Sequence, residues 1–175
     1  CLSSLGLKTG FIGKVGVGNN ANIILRELKK NKVDFLGVST PKMHTGYSIV
    51  LLSDKNNRTI LTYKGASNSL QPNELNFRKI KSKWVHFNSV GNGSFEKQKK
   101  VIDHCVKNNI KISFNPSSYQ TKFGVKYLSK FLKNCDVLSM NKEEARMLVG
   151  KSNTCKKLHN LGPEIVIITD GPNPG

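Results

Sequence analysis

The sequence predicts an α/β fold on a mainly parallel sheet, with a small antiparallel β hairpin set apart from it. Three observations carry this. Short apolar runs alternate with stretches of helical periodicity, and the alternation repeats every ~25–30 residues, the spacing of βαβ units. Ile165-Val166-Ile167-Ile168 is apolar without alternation, as in a strand covered on both faces. Two β-rich runs, 47–52 and 59–63, flank Ser53-Asp54-Lys55-Asn56-Asn57-Arg58, whose Asp and Asn residues favour a turn.

The elements follow in order. Residues 11–15 read as a short strand, and 21–28 as a helix with Ile24, Leu25 and Leu28 on one face. An extended segment begins at 35–38 and leads into the hairpin. After it come strands at 84–87, 110–114, 137–140 and 165–169. Between them helices are predicted at 95–106, 125–132, 143–149 and 154–161. The hairpin, about residues 36–64, should not share the main core and reads as a lid inserted into one domain spanning 1–175. Cys1-Leu2-Ser3-Ser4-Leu5-Gly6 resembles the last turn of a helix stopped by glycine, which sets the expectation that the natural chain begins upstream.

Composition narrows the class. With 37% hydrophobic and 22% charged residues in 175, the chain is globular rather than disordered. No apolar run approaches the ~20 residues that span a bilayer. None of the four cysteines forms a C-x-x-C pair, which argues against a zinc ribbon or a thioredoxin-type motif. Cys105 and Cys135 lie in apolar-periodic contexts and read as core thiols, in keeping with a reducing, cytoplasmic setting. The net charge of +17 suggests either a polyanionic partner or lysines solvated on helix faces. Because the lysines are spread along the chain, with no aromatic-interleaved basic tract or nucleic-acid motif read among them, the solvated reading is preferred and nucleic acid is not the favoured partner. A non-catalytic basic module that binds nucleic acid stands as the alternative.

Several segments bear on chemistry. Gly13-Lys14-Val15-Gly16-Val17-Gly18 is either a phosphate-cradling loop or a tight strand-to-helix turn, and the turn is favoured. Gly150-Lys151-Ser152 resembles the tail of a nucleotide-binding P-loop, but it follows a helix and Ala145 stands where the first glycine belongs. Gly91-Asn92-Gly93-Ser94 precedes a helix that Ser94 is placed to cap. It also follows a sheet strand at the end where open α/β sheets bind ligands. The four histidines show no metal spacing, and His86 reads as a hydrogen-bonded strand residue. Met140-Asn141-Lys142-Glu143-Glu144 leaves a strand and enters a helix. Asn141 and Glu144 there form either a capping box or a phosphate and Mg2+ pair.

Five pieces in order resemble the ribokinase-like (PfkB-type) carbohydrate kinases. Leu5-Gly6 with Phe11-Ile12-Gly13-Lys14-Val15-Gly16 resembles the family's L-G…F-I-G-x-V-G stretch. Thr45-Gly46-Tyr47-Ser48-Ile49-Val50 and Arg58-Thr59-Ile60 look like its lid strands, and Tyr63-Lys64-Gly65-Ala66 like the segment after them. Asn141-x-x-Glu144 with Leu148-Val149-Gly150 is similar to N-x-x-E…L-x-G, and the run from Ile165 to Gly171 to an apolar strand ending in T-x-G. Gly18 stands where many members have Asp, and Asn115-Pro116 where many have an Asp-containing run.

The resemblance implies a three-layer α/β sandwich and transfer of the ATP γ-phosphoryl group, with Mg2+, to a hydroxyl of a sugar or nucleoside. It implies that Asn141 and Glu144 position Mg2+ and phosphate, with Glu144 as the metal residue, and that Thr169 and Gly171 meet the nucleotide. The sugar would lie near Thr45, Tyr47, Asn88, Ser89 and Gly91. Lids pair between subunits in many members, which implies a homodimer through the lid. The family's D-T-x-G-A-G-D box, with its catalytic Asp, does not occur in these 175 residues. It is expected beyond Gly175, so this stretch alone is expected to be inactive.

Overall fold

The computed structural model describes residues 1–52, 58–89 and 92–171, with side chains omitted at 92–94. The chain forms two compact units, Cys1–Ile80 with Val90–Lys97, and Lys81–Ser89 with Gln98–Gly175.

In the first unit the expected strand at 11–15 is two strands, β1 (Thr9–Phe11) and β2 (Lys14–Val17). Helix α1 (Asn19–Lys30) and strands β3 (Val33–Phe35), β4 (Val38–Leu52) and β5 (Arg58–Gly65) follow. β1 pairs in parallel with β3, and β2 with β4. The break between β1 and β2 has a local cause. Leu36 N–H donates to the Phe11 carbonyl and Val38 N–H to the Gly13 carbonyl, both at 2.9 Å. A Cβ on Gly37 would stand 2.0 Å from the Gly13 carbonyl oxygen, so the two backbones meet where only glycine fits.

The glycine-rich segment is spent on packing. A Cβ on Gly16 would lie 2.0 Å from the Met43 carbonyl oxygen, and Gly16 N–H donates to Thr45 Oγ1 at 2.8 Å. Lys14 Nζ meets Glu74 Oε1 at 2.6 Å and holds that carboxyl below its usual range. This is the strand-to-helix turn of the sequence reading. Residues 66–79, which the apolar pattern left without structure, form three 3-10 turns at Ala66–Ser69, Pro72–Glu74 and Phe77–Lys79.

The hairpin is present. β4 and β5 pair antiparallel from Thr45↔Gly65 to Leu52↔Arg58, and its turn at 53–57 lies outside the described residues. Ile49, Val50, Leu51, Ile60 and Leu61 are each about half exposed. Because neighbours in a strand point to opposite faces, apolar surface is open on both faces of the ribbon.

The second unit holds β6 (Trp84–Asn88), α2 (Asn92–Lys107, from Gln98 onward), β7 (Lys111–Asn115), α3 (Ser118–Thr121) and α4 (Gly124–Asn134). It continues with β8 (Val137–Asn141), α5 (Lys142–Val149), α6 (Thr154–His159) and β9 (Ile165–Thr169). The sheet order is β6-β7-β8-β9 and every pair is parallel, as the strand-helix alternation predicts. α2 begins at Asn92, so Ser94 lies inside its first turn rather than at the cap. Gly150 ends α5 at φ +85°, a helix stop and not a P-loop.

The core sits on one face of this sheet. Phe87, Ile112, Phe114, Leu138 and Met140 are buried there, and Phe131 of α4 stacks on Phe114 with centroids 4.6 Å apart. The expectation that Ile165–Thr169 is covered on both faces fails. Ile165 and Ile167 are 51% and 47% exposed. They share the opposite face with Trp84, His86, Ser113 and Ser139 through the strand register.

Candidate functional site at the strand ends

The four strands run in parallel, and β8 and β9 extend two residues past β6 and β7, because Phe114 pairs with Leu138. Asn88 pairs with Asn115 in register and Asn141 with Thr169. The C-terminal edge of an open α/β sheet is where its ligands bind, and hydrogen bonds lace this edge from strand to strand.

Asn141 ends β8 because its side chain turns back onto α5. Its Oδ1 accepts the Glu144 N–H at 2.8 Å, and Glu144 Oε2 accepts the Asn141 N–H at 3.1 Å. This is the capping box that the spacing allows. Glu144 is 8% exposed, and its second oxygen is also engaged: Ser118 Oγ donates to Oε1 at 3.0 Å. On the β6 side, Ser89 Oγ donates to Ser117 Oγ at 2.7 Å. On the β9 side, Lys142 Nζ pairs with Asp170 Oδ2. Asn115 Nδ2 donates to the Ser139 carbonyl at 2.9 Å and ties β7 to β8 below the rim.

The structure thus brings Asn141, Glu144, Thr169 and Gly171 to one rim, with Asn88 and Ser89 on the same sheet edge across β7. Thr169 and Gly171 are exposed. Gly171 has φ +61°, and nothing lies within 4 Å of where its Cβ would be. Thr45 and Tyr47 belong to the first unit. Thr45 is buried with its hydroxyl engaged by Gly16, whereas Tyr47 is half exposed on the ribbon with its ring 5.6 Å from Tyr63. Gly91 lies outside the described residues.

Sequence reasoning passed over Ser117, Ser118, Lys142 and Asp170. The available signal was Ser117-x-x-Gln120, a capping-box spacing that starts the short helix α3. A four-residue helix has too little periodicity to announce itself.

Among the described residues no group of three His, Cys, Asp or Glu side chains gathers to hold a metal. One buried carboxylate at the rim still fits an ion that keeps its waters and takes its remaining ligands from substrate phosphates. Glu144 supplies that carboxylate, already oriented by two donors.

A profile of the pfkB family carbohydrate kinases matches residues 1–174. The chain belongs to this family. Among its relatives is an uncharacterized sugar kinase of Archaeoglobus fulgidus, 26% identical over 97% of this chain and 69% of the relative. A 5-dehydro-2-deoxygluconokinase of Geobacillus kaustophilus is 26% identical over 97% of this chain and 57% of its own. The fold is shared with an E. coli protein described as a ribokinase II and solved in complex with ATP and Mg2+. That match has a TM-score of 0.83 at 21% identity, over 97% of this chain and 59% of that one. This pfkB-family chain therefore spans less than two thirds of the second relative and of the solved structure. The ribokinase-like α/β fold stands as the sequence predicts.

Proposed function

We propose that the protein carrying this chain transfers the γ-phosphoryl group of ATP to a hydroxyl of a sugar or nucleoside. One observation supports this most directly: β8 and β9 are adjacent and parallel and end in register at Asn141 and Thr169. The Glu144 turn and the Gly171 turn therefore share a rim. In this reading Asn141 and Glu144 orient phosphate and hydrated Mg2+. The Thr169–Gly171 turn meets the nucleotide, and its glycine leaves room for close backbone approach. Mg2+, when bound, neutralises charge developing on the phosphates.

Acceptor contacts are proposed for Asn88, Ser89 and Gly91, and separately for Thr45 and Tyr47 of the hairpin, which is read as the lid of a single kinase domain. Tyr47 is the exposed member of that pair and the better candidate for contact. The ribbon's two-sided apolar surface supports a homodimer formed through the lid. Four free thiols suit a reducing, cytoplasmic setting, and no helix of the described residues is long and apolar enough to cross a membrane.

Residues 1–175 contain no D-T-x-G-A-G-D sequence. The reading therefore assigns them nucleotide and lid elements but no general base, and alone they should not transfer phosphate. The test is ADP release by the full-length protein with a panel of sugars and nucleosides. Mg2+-dependent turnover that falls at least about tenfold in Glu144→Gln is expected. Unaltered turnover in that variant would remove Glu144 from the site.

A further inference from the structure

Residues 119–130 carry a repeat that the kinase reading does not use: Tyr119, Lys122, Phe123, Lys126, Tyr127, Lys130. Aromatic residues recur every fourth position, and each is followed three positions later by lysine. Folding through α3, the turn at Lys122-Phe123 and α4 turns this repeat into a surface. The Tyr119 and Phe123 rings pack edge-to-face with centroids 5.3 Å apart, and Phe123 and Tyr127 lie 4.9 Å apart. Tyr119 is 49% and Phe123 46% exposed. Lys99 of α2 reaches over Tyr127 with its ammonium 6.0 Å from the ring centroid. Lys130 pairs with Asp103 at 2.6 Å. Lys122, Lys126 and Lys133 are exposed, with no carboxylate of the described residues at ion-pair distance.

From this ladder we infer that the protein binds single-stranded nucleic acid on the α3–α4 surface, independently of any phosphoryl transfer. At Tyr119 with Lys122 and at Phe123 with Lys126 the surface sets a half-exposed ring beside an exposed cation, whereas Tyr127 lies under Lys99 and Lys130 is paired with Asp103. The repeat unit of the ligand is one base and one phosphate, and stacking on aromatic side chains beside a cationic track is how strands are held without sequence preference. A membrane surface fits less well. An interfacial helix needs a broad apolar face to insert, and the apolar face of α4, with Leu128, Phe131 and Leu132, is fully buried in the core. The lysines do sit on a solvated helix face, as the sequence reading expects. What that reading overlooked is that aromatics at the same helical spacing stand among them.

The test is fluorescence anisotropy of a labelled oligothymidylate of about twelve nucleotides with the full-length protein, with circular dichroism confirming the fold of each variant. Affinity should fall log-linearly with salt with a slope of about −2, as expected when three lysines displace counterions from a single strand. Phe123→Ala should weaken binding about tenfold while Phe123→Trp retains it. Lys122→Glu with Lys126→Glu should weaken it strongly, whereas the same charge change at Lys151 and Lys156, elsewhere in this unit, should leave it unchanged. The inference is overturned if Phe123→Ala has no effect. It is equally overturned if the Lys151 and Lys156 changes cost as much as those on α4. It also fails if the chain binds phosphatidylserine vesicles and not the strand.

Discussion

The hydroxyl of Ser118, at the start of α3, donates to Oε1 of Glu144, in the first turn of α5, at 3.0 Å. The other Glu144 oxygen is fixed by the Asn141 N–H at 3.1 Å. A carboxylate at the sheet edge is thereby held from two strand ends at once. Removing the Ser118 donor loosens the carboxylate without removing its charge. In the full-length protein, under the proposed function, Ser118→Ala should raise the Mg2+ concentration needed for half-maximal turnover several-fold, with a smaller loss of maximal rate than Glu144→Gln. Equal loss in the two variants, with no change in Mg2+ dependence, would assign Ser118 a structural role only.

Phe131 is fully buried and touches Phe114 and Phe87 on the covered face of the sheet. Its replacement by alanine should destabilise the second unit by about 3–5 kcal/mol, the range for a large aromatic removed from a closed core. Trp84→Ala, on the open face at 50% exposure, should cost far less. Urea unfolding of the two variants decides this, and equal losses would mean that the open face is covered in solution.

The fold's pH dependence should have two parts. Partial burial of the His86 ring, whose Nδ1 lies 2.8 Å from Ser113 Oγ, holds its pKa below the ordinary 6.5. The unfolded chain therefore takes up this proton first, and stability falls as pH drops through about 6.5 toward the folded value. Asp136 behaves in the opposite manner. Burial raises its pKa, but Lys111 Nζ at 2.6 Å and the Ile112 N–H at 2.7 Å prevail and leave it below 3.8. Its contribution is present above the unfolded value and is lost as pH falls through the lower folded one. Urea midpoints across pH should show a mild decline in the histidine range, flattened by His86→Gln, and a second in the acid range that is reduced in Asp136→Asn, the remainder coming from Glu74, whose pKa Lys14 also lowers.

Two thiols should be silent. Burial pushes Cys105 up to about 11 and Cys135 up to about 12, while Cys1 and Cys155 are exposed. An aromatic disulfide reagent at neutral pH should titrate two thiols at once and the other two only after denaturation. Four fast thiols would contradict the packing around α2 and α4.

The second unit was legible almost strand by strand, because each of its strands is a short apolar run beside a helix of clear period. Asn141 and Glu144 were legible as a pair for the same reason that they form a capping box: the spacing serves both roles. The losses have physical causes. The break at Ile12-Gly13 arises from backbone pairing with residues 36–38, which no local pattern contains. The 3-10 turns after β5 have no amphipathic face to read. Ser117 and Ser118 belong to a helix one turn long, and the Lys142–Asp170 pair joins residues that only the β8–β9 register brings together. The reading of no aromatic-interleaved basic tract is corrected at residues 119–130, because lysines taken as a composition conceal the tyrosines and phenylalanine between them.

The central claim is that one rim of the β6–β9 sheet grips a nucleotide. Titration of the isotope-labelled chain with ATP and Mg2+, followed through backbone amide shifts, tests it directly. The account predicts that the amides of Asn141, Glu144, Thr169 and Gly171 move together along one binding curve and that withholding Mg2+ weakens the response. Shifts confined to the opposite ends of the strands, near Lys111 and Asp136, or none at the rim at saturating nucleotide, would contradict it.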